Sequence, residues 1–131
     1  MIGRMGLIGL FSLIGLVGCK KAVSSEQLAM EAAQDYYEAL LEGNYEEFLN
    51  GRAYMDSIPD GFREQLVVSF KQFMRQQENA HQGVESVTPT RAEMDSTLHL
   101  MQVFLMVNYA DSTHEEIVVP MVEQNGEWKM R

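Results

Sequence analysis

The chain has a single cysteine among its 131 residues, Cys19. No internal disulfide and no multi-thiolate metal site can form, so stability rests on packing. Positive charge is scarce: 10 Lys and Arg stand against 19 Asp and Glu, a formal net charge of −9. That balance opposes nucleic acid, whose binding rests on neutralising phosphates. No apolar run reaches the about 20 residues that a membrane-spanning helix needs. There is no phosphate-cradling glycine-rich loop, no Gly-x-Ser-x-Gly, no internal repeat and no low-complexity segment. Three histidines without placed partners do not assemble a catalytic triad. Catalytic residues, bound metals and soluble cofactors are therefore not expected.

What is present begins with a leader. Met1 and Arg4 supply a positive start, and residues 5–17 are almost wholly apolar, the length of a signal-peptide core. Leu16-Val17-Gly18-Cys19 follows and resembles the lipobox of bacterial lipoproteins. The resemblance implies cleavage before Cys19, a diacylglycerol thioether on its sulfur, and an acyl chain on the new amino terminus. Residues 1–18 would then be a removed signal peptide, 19–23 a lipidated cysteine with its tether, and 24–131 the working domain. Loss of Arg4 takes the formal charge from −9 to −10. Two or more acyl chains anchor stably, because each buried methylene contributes about 0.8 kcal/mol. The membrane is thus a partner through the lipid alone. Lys20-Lys21 after the cysteine, in place of Asp, does not resemble an inner-membrane retention signal. The expected address is the cell envelope, on the outer membrane facing the periplasm. Four tether residues reach at most roughly 14 Å, which holds the domain close to the membrane.

The domain divides by period. Ser24 with Gln27 reads as a capping box. Leu28, Ala32, Tyr36 and Leu40 form one stripe of a helix that Gly43 ends. Asn44 and Glu47 open a short second helix carrying Tyr45, Phe48 and Leu49, stopped by Gly51. Pro59 is a good first helical residue, and Phe62, Leu66, Phe70, Phe73 and Met74 mark a longer helix ending near Gly83. Thereafter strands are expected over 84–94, 98–110, 115–124 and 127–130. Pro89 marks an edge or a bulge in the first. Asn125-Gly126 is a strong hairpin turn, since both residues tolerate positive φ.

Two-residue turns at Asp111-Ser112 and Asn125-Gly126 pair Met106 with Ile117, Phe104 with Val119, and Met121 with Met130. Because strand side chains alternate, one face then holds Leu98, Leu100, Phe104, Met106, Ile117, Val119, Met121, Trp128 and Met130. That is the expected core face. The opposite face carries Met101, Val103, Leu105, Val107, Tyr109, Val118 and Val122, an apolar surface of the kind that marks an interface.

This order of elements resembles the nuclear transport factor 2-like fold, an α+β cone-shaped roll with N-terminal helices on one face of a four-stranded antiparallel meander. Two stretches carry the resemblance. Asp35-Tyr36-Tyr37-Glu38-Ala39-Leu40-Leu41-Glu42-Gly43-Asn44-Tyr45 is similar to the first helix of lipoprotein members. Val118 to Lys129, with Gly126-Glu127-Trp128-Lys129, is similar to their closing hairpin. The resemblance implies a small pocket between helices and sheet and dimers through the sheet. In enzymatic relatives it also implies an Asp/His pair in the cone, of which none can be placed on the expected core face.

Other motifs point to ordinary roles. Glu78-x-x-His81 has the spacing of a di-iron half-site but lacks a second copy. His114-x-Glu116 lacks the cysteine half of a zinc deaminase. The eight methionines from Met30 to Met130 fit core filling better than Cu(I) ligation. His99 falls on the outer face. Two functional readings follow. The first is a non-catalytic interaction module, meeting a protein partner or a second copy through Met101, Val103, Leu105, Val107 and Val118. The second is a ligand pocket, either binding alone or acting as a SnoaL-like enzyme in the cone, around Tyr36, Gln102, Asn108 and Trp128, where polar groups converge among apolar ones. The sheet-face reading ranks first, because it follows from alternation along two strands.

Overall fold

A computed structural model describes residues 23–131. The leader, the lipobox and Cys19 lie outside the described residues. Three helices, α1 (Ser25–Leu41), α2 (Tyr45–Asn50) and α3 (Asp60–His81), precede four strands, β1 (Val84–Asp95), β2 (Leu100–Tyr109), β3 (His114–Gln124) and β4 (Glu127–Met130). The strands form one antiparallel meander in the order β1-β2-β3-β4. The chain is α+β, with its helices against the sheet. No helix among the described residues is long and apolar enough to cross a membrane.

Local chemistry explains the helix ends. The Ser24 hydroxyl accepts the Gln27 amide at 3.1 Å, satisfying one of the orphan donors at the start of α1. Gly43, at φ 84°, turns the chain out of that helix. The buried stripe of α1 is Ala29, Ala33 and Leu40, with Ala32 and Tyr36 half-buried, while Leu28 is exposed. A stripe drawn every four residues drifts by about 40° per step against a 3.6-residue turn. That drift is why the expected stripe misses at Leu28. Pro59 caps α3 rather than entering it.

The β3–β4 hairpin pairs Met121 with Met130 and Glu123 with Trp128, as the Asn-Gly turn requires. Pro89 sits on edge strand β1 beside a register shift between Pro89 and Arg91, the bulge its missing N–H favours.

The β2–β3 register corrects the expected core face. Leu105 pairs with Ile117, Val103 with Val119 and Met101 with Met121, one residue away from the expected pairing. The connection has three residues, not two. Tyr109 N donates to Thr113 O at 2.9 Å and Ser112 N to Tyr109 O at 3.1 Å. Ser112, at φ 74°, closes the turn in the left-handed region. This is the three-residue hairpin with a bulge. One added residue inverts β2 relative to β3. Met101, Val103, Leu105, Val107 and Tyr109 are therefore core, together with Val119, Met121 and Met130. Phe104 and Met106 pair opposite Val118 and Glu116 on the outer face, and Leu98 lies exposed in the preceding turn. Of the interface candidates only Val118 is exposed, at 47%.

The real outer face is mixed. The Arg91 guanidinium lies 3.7 Å above the Phe104 ring and 3.6 Å from Glu116 Oε2, which screens that ring with charge.

A tight joint ties α1, α2 and β4 together. The Tyr36 hydroxyl donates to Trp128 O at 2.7 Å. Gly51 O accepts Met130 N and Met130 O accepts Ala53 N, each at 2.7 Å. By contrast α3 contributes no fully buried residue. Leu66, Phe70 and Met74 are half-buried, and Phe62 and Phe73 are each 46% exposed. Its C-terminal end is held by the β2–β3 turn, where Asp111 N donates to His81 O and Ala110 N to Gly83 O.

Candidate functional site

The four pocket candidates do not converge. Tyr36 and Trp128 meet through their hydrogen bond at one end of α1. Gln102 and Asn108 belong to the outer face, because the even-numbered residues of β2 point away from the helices. Gln102 Nε2 donates to Asp95 Oδ2 at 3.3 Å, and Asn108 Nδ2 to Ser86 Oγ at 3.1 Å. Both amides thus spend donors on neighbours from β1, as amides without a ligand do.

A mainly apolar cavity forms elsewhere among the described residues. The C-terminal part of α1 supplies Tyr37, Leu40 and Leu41, and the C-terminal part of α3 supplies Phe73, Met74 and Gln77. Facing them, the sheet supplies Val84 and Val87 from β1, Val107 and Tyr109 from β2, and Glu115 and Ile117 from β3. The cavity volume is about 280 Å³. At about 30 Å³ per water, it would hold one ring with a short arm.

Two of its polar groups meet. The buried Tyr109 hydroxyl donates to the Glu115 carboxylate. The one-residue shift creates this contact: with Val107 opposite Glu115, Tyr109 becomes the diagonal neighbour on the same face. Burial, and then the hydrogen bond and charge of Glu115, push the Tyr109 pKa up to about 12. Tyr109 therefore stays a neutral donor across ordinary pH. The His81 ring stacks on Tyr109, centroids 4.0 Å apart and 20° from parallel. Its Nδ1 lies 3.1 Å from Asp111 Oδ2. Hydrogen bonds from Thr113, with a smaller contribution from His81, hold the Asp111 carboxyl below its ordinary range. His81 is thus part of a clamp between α3 and the β2–β3 turn. No cluster of three or more His, Cys, Asp or Glu able to hold a metal occurs among the described residues.

No protein-family model and no curated protein matches the chain. A search of solved structures finds a Campylobacter jejuni protein, described as a candidate NTF2-like transpeptidase, at a TM-score of 0.60. The match covers 76% of this chain and 94% of that one, at 9% sequence identity. The fold is nuclear transport factor 2-like. At that identity the likeness establishes the fold and nothing more. In this nuclear transport factor 2-like cone the cavity lies between helices and sheet, the place the family resemblance implies.

The tyrosines give the cone an alkaline limit. Burial raises Tyr36 and Tyr37 as it raises Tyr109. A group whose folded pKa exceeds its unfolded value stabilises fully below the unfolded value, and that stability is lost as pH climbs through the folded one. Urea-unfolding midpoints should therefore hold steady up to about pH 10 and fall between about 10 and about 12. Tyr109→Phe should remove the largest share of that fall. A slope unchanged by the substitution would mean that Tyr109 ionises as freely folded as unfolded.

Proposed function

We propose that the chain is a lipid-anchored envelope protein whose domain binds a small apolar molecule, without covalent chemistry, in the cavity between α1, α3 and the sheet. The observation that carries this reading is the mainly aliphatic and aromatic lining with the Tyr109–Glu115 pair set into it. That is the composition of a small-ligand site. The sheet-face reading loses its support, because four of its five residues are core. The C. jejuni neighbour is described as a candidate NTF2-like transpeptidase. The usual nucleophiles of acyl transfer are Ser, Thr, Cys or Lys, and none lines this cavity. Binding is accordingly the better reading. The anchor rests on Leu16-Val17-Gly18-Cys19 and the apolar run before it.

One experiment addresses both halves. Labelled palmitate should enter the wild-type chain in cells and be absent from Cys19→Ser. With the purified full-length protein in a neutral detergent, 2-phenylethanol should shift the Met74 and Ile117 methyl resonances and leave those of exposed Met94 in place. Gln77→Trp, at a half-exposed lining position on α3, should fill the space and abolish the shifts. Equal labelling of Cys19→Ser would end the anchor. Methyl shifts that are absent, or that survive Gln77→Trp, would end the cavity as a binding site.

A further inference from the structure

The charge of the lining narrows the ligand class. This step rests on the cavity being the binding site. Of the twelve lining residues, Glu115 alone carries a carboxyl group, and no Lys, Arg or His is among them. Glu115 is exposed at the mouth while Ile117, two residues on along the same face of β3, is half-buried inside. A ligand seated with its apolar part among Leu40, Val87, Val107 and Ile117 would bring its other end to this carboxylate.

One Glu115 oxygen accepts from Tyr109, which leaves acceptor capacity on the carboxylate and no cationic donor in the lining. An incoming carboxylate or phosphate would meet like charge without compensation. An incoming ammonium would meet a carboxylate in a lining that also carries the aromatic rings of Tyr37, Phe73 and Tyr109, and aromatic π faces attract cations. The adjoining groove holds Lys71 and Arg75 beside Glu42 and Glu78, so its formal charges balance. At the Tyr109 end, Asp111 adds a second negative charge, with His81 beside it. The formal net charge of −9 over the whole chain steers cations inward and anions away.

We propose that the cavity is a site for a small hydrophobic amine, its apolar body between α1, α3 and the sheet and its ammonium on Glu115. The three probes are 2-phenylethylammonium, 2-phenylethanol and phenylacetate, which share one apolar body and differ in charge. Full-length protein in a neutral detergent is titrated at free concentrations set by equilibrium dialysis, with the Met74 methyl resonance as readout. The ammonium should bind about five- to tenfold more tightly than the alcohol, the range of an ion pair at a cavity mouth with a cation–π contribution. Phenylacetate should bind most weakly. Glu115→Gln should bring the ammonium and alcohol affinities together, and wild type and variant in one detergent share the same probe partitioning. Alcohol binding as tight as ammonium binding in the wild type overturns the amine assignment and leaves the binding site standing, as does a preference that survives Glu115→Gln. Failure of all three probes to shift Met74 overturns the binding site itself.

Discussion

Val103→Lys is expected to unfold the domain at neutral pH, whereas Phe104→Lys leaves it folded. Val103 is fully buried, paired with Ala92 on one side and Val119 on the other. Burying a lone ammonium there carries a penalty of several kcal/mol, and the valine's own packing is lost as well. Domains of this size have only about 5–15 kcal/mol of stability in total. Phe104 is half-buried on the outer face, against Arg91. A lysine in its place reaches water and loses one stacking contact, a change of about 1–2 kcal/mol. Circular dichroism and urea unfolding of both variants decide the matter. A folded Val103→Lys beside an unfolded Phe104→Lys would restore the two-residue β2–β3 turn and its opposite register.

Gly51→Ala should destabilise by about 2–4 kcal/mol, summing an overpacking cost of about 1–3 with a lost hydrogen bond of about 1. A Cβ on Gly51 would stand 2.5–2.8 Å from three carbons of the Tyr36 ring, closer than any real contact. The glycine's φ of −77° is ordinary, so the constraint is space and not backbone freedom. Relief requires Tyr36 to move, which breaks its bond to Trp128 O and loosens the joint of α1, α2 and β4. The same substitution in a Tyr36→Ala background should have almost no effect, because contacting residues couple and the clash is then gone. An additive double mutant in urea unfolding would place the strain elsewhere.

Much of this protein was readable from its residues, for local reasons. Ser24 and Gln27, Gly43, and Asn125-Gly126 each act within a few residues through a cap, a left-handed turn or a hairpin. The elements they bound appear where expected, and the family resemblance carried by the first helix and the closing hairpin pointed to the right fold. The sequence also held a clue to the β2 face. Met101, Val103, Leu105, Val107 and Tyr109 run apolar without interruption, while Gln102 and Asn108 break the alternate set. Both faces of that strand are nonetheless largely apolar, and an assumed two-residue turn at Asp111-Ser112 outweighed the amides. Only the folded chain decided that Ser112 takes φ 74° and that the loop holds three residues. Nothing local demands it, since neither Asp nor Ser is bound to one turn type. That single residue sends Val103 inward and Gln102 outward, and it sets Tyr109 beside Glu115. The cavity was beyond sequence reading for a related reason. Tyr37, Gln77 and the Tyr109–Glu115 pair are far apart along the chain and share no motif. Their meeting depends on how α3, with no fully buried residue of its own, rests across the open side of the sheet. Caps and tight turns are set by neighbours in sequence; register between two-sided apolar strands and the seat of a half-buried helix are set by the sum of distant packing.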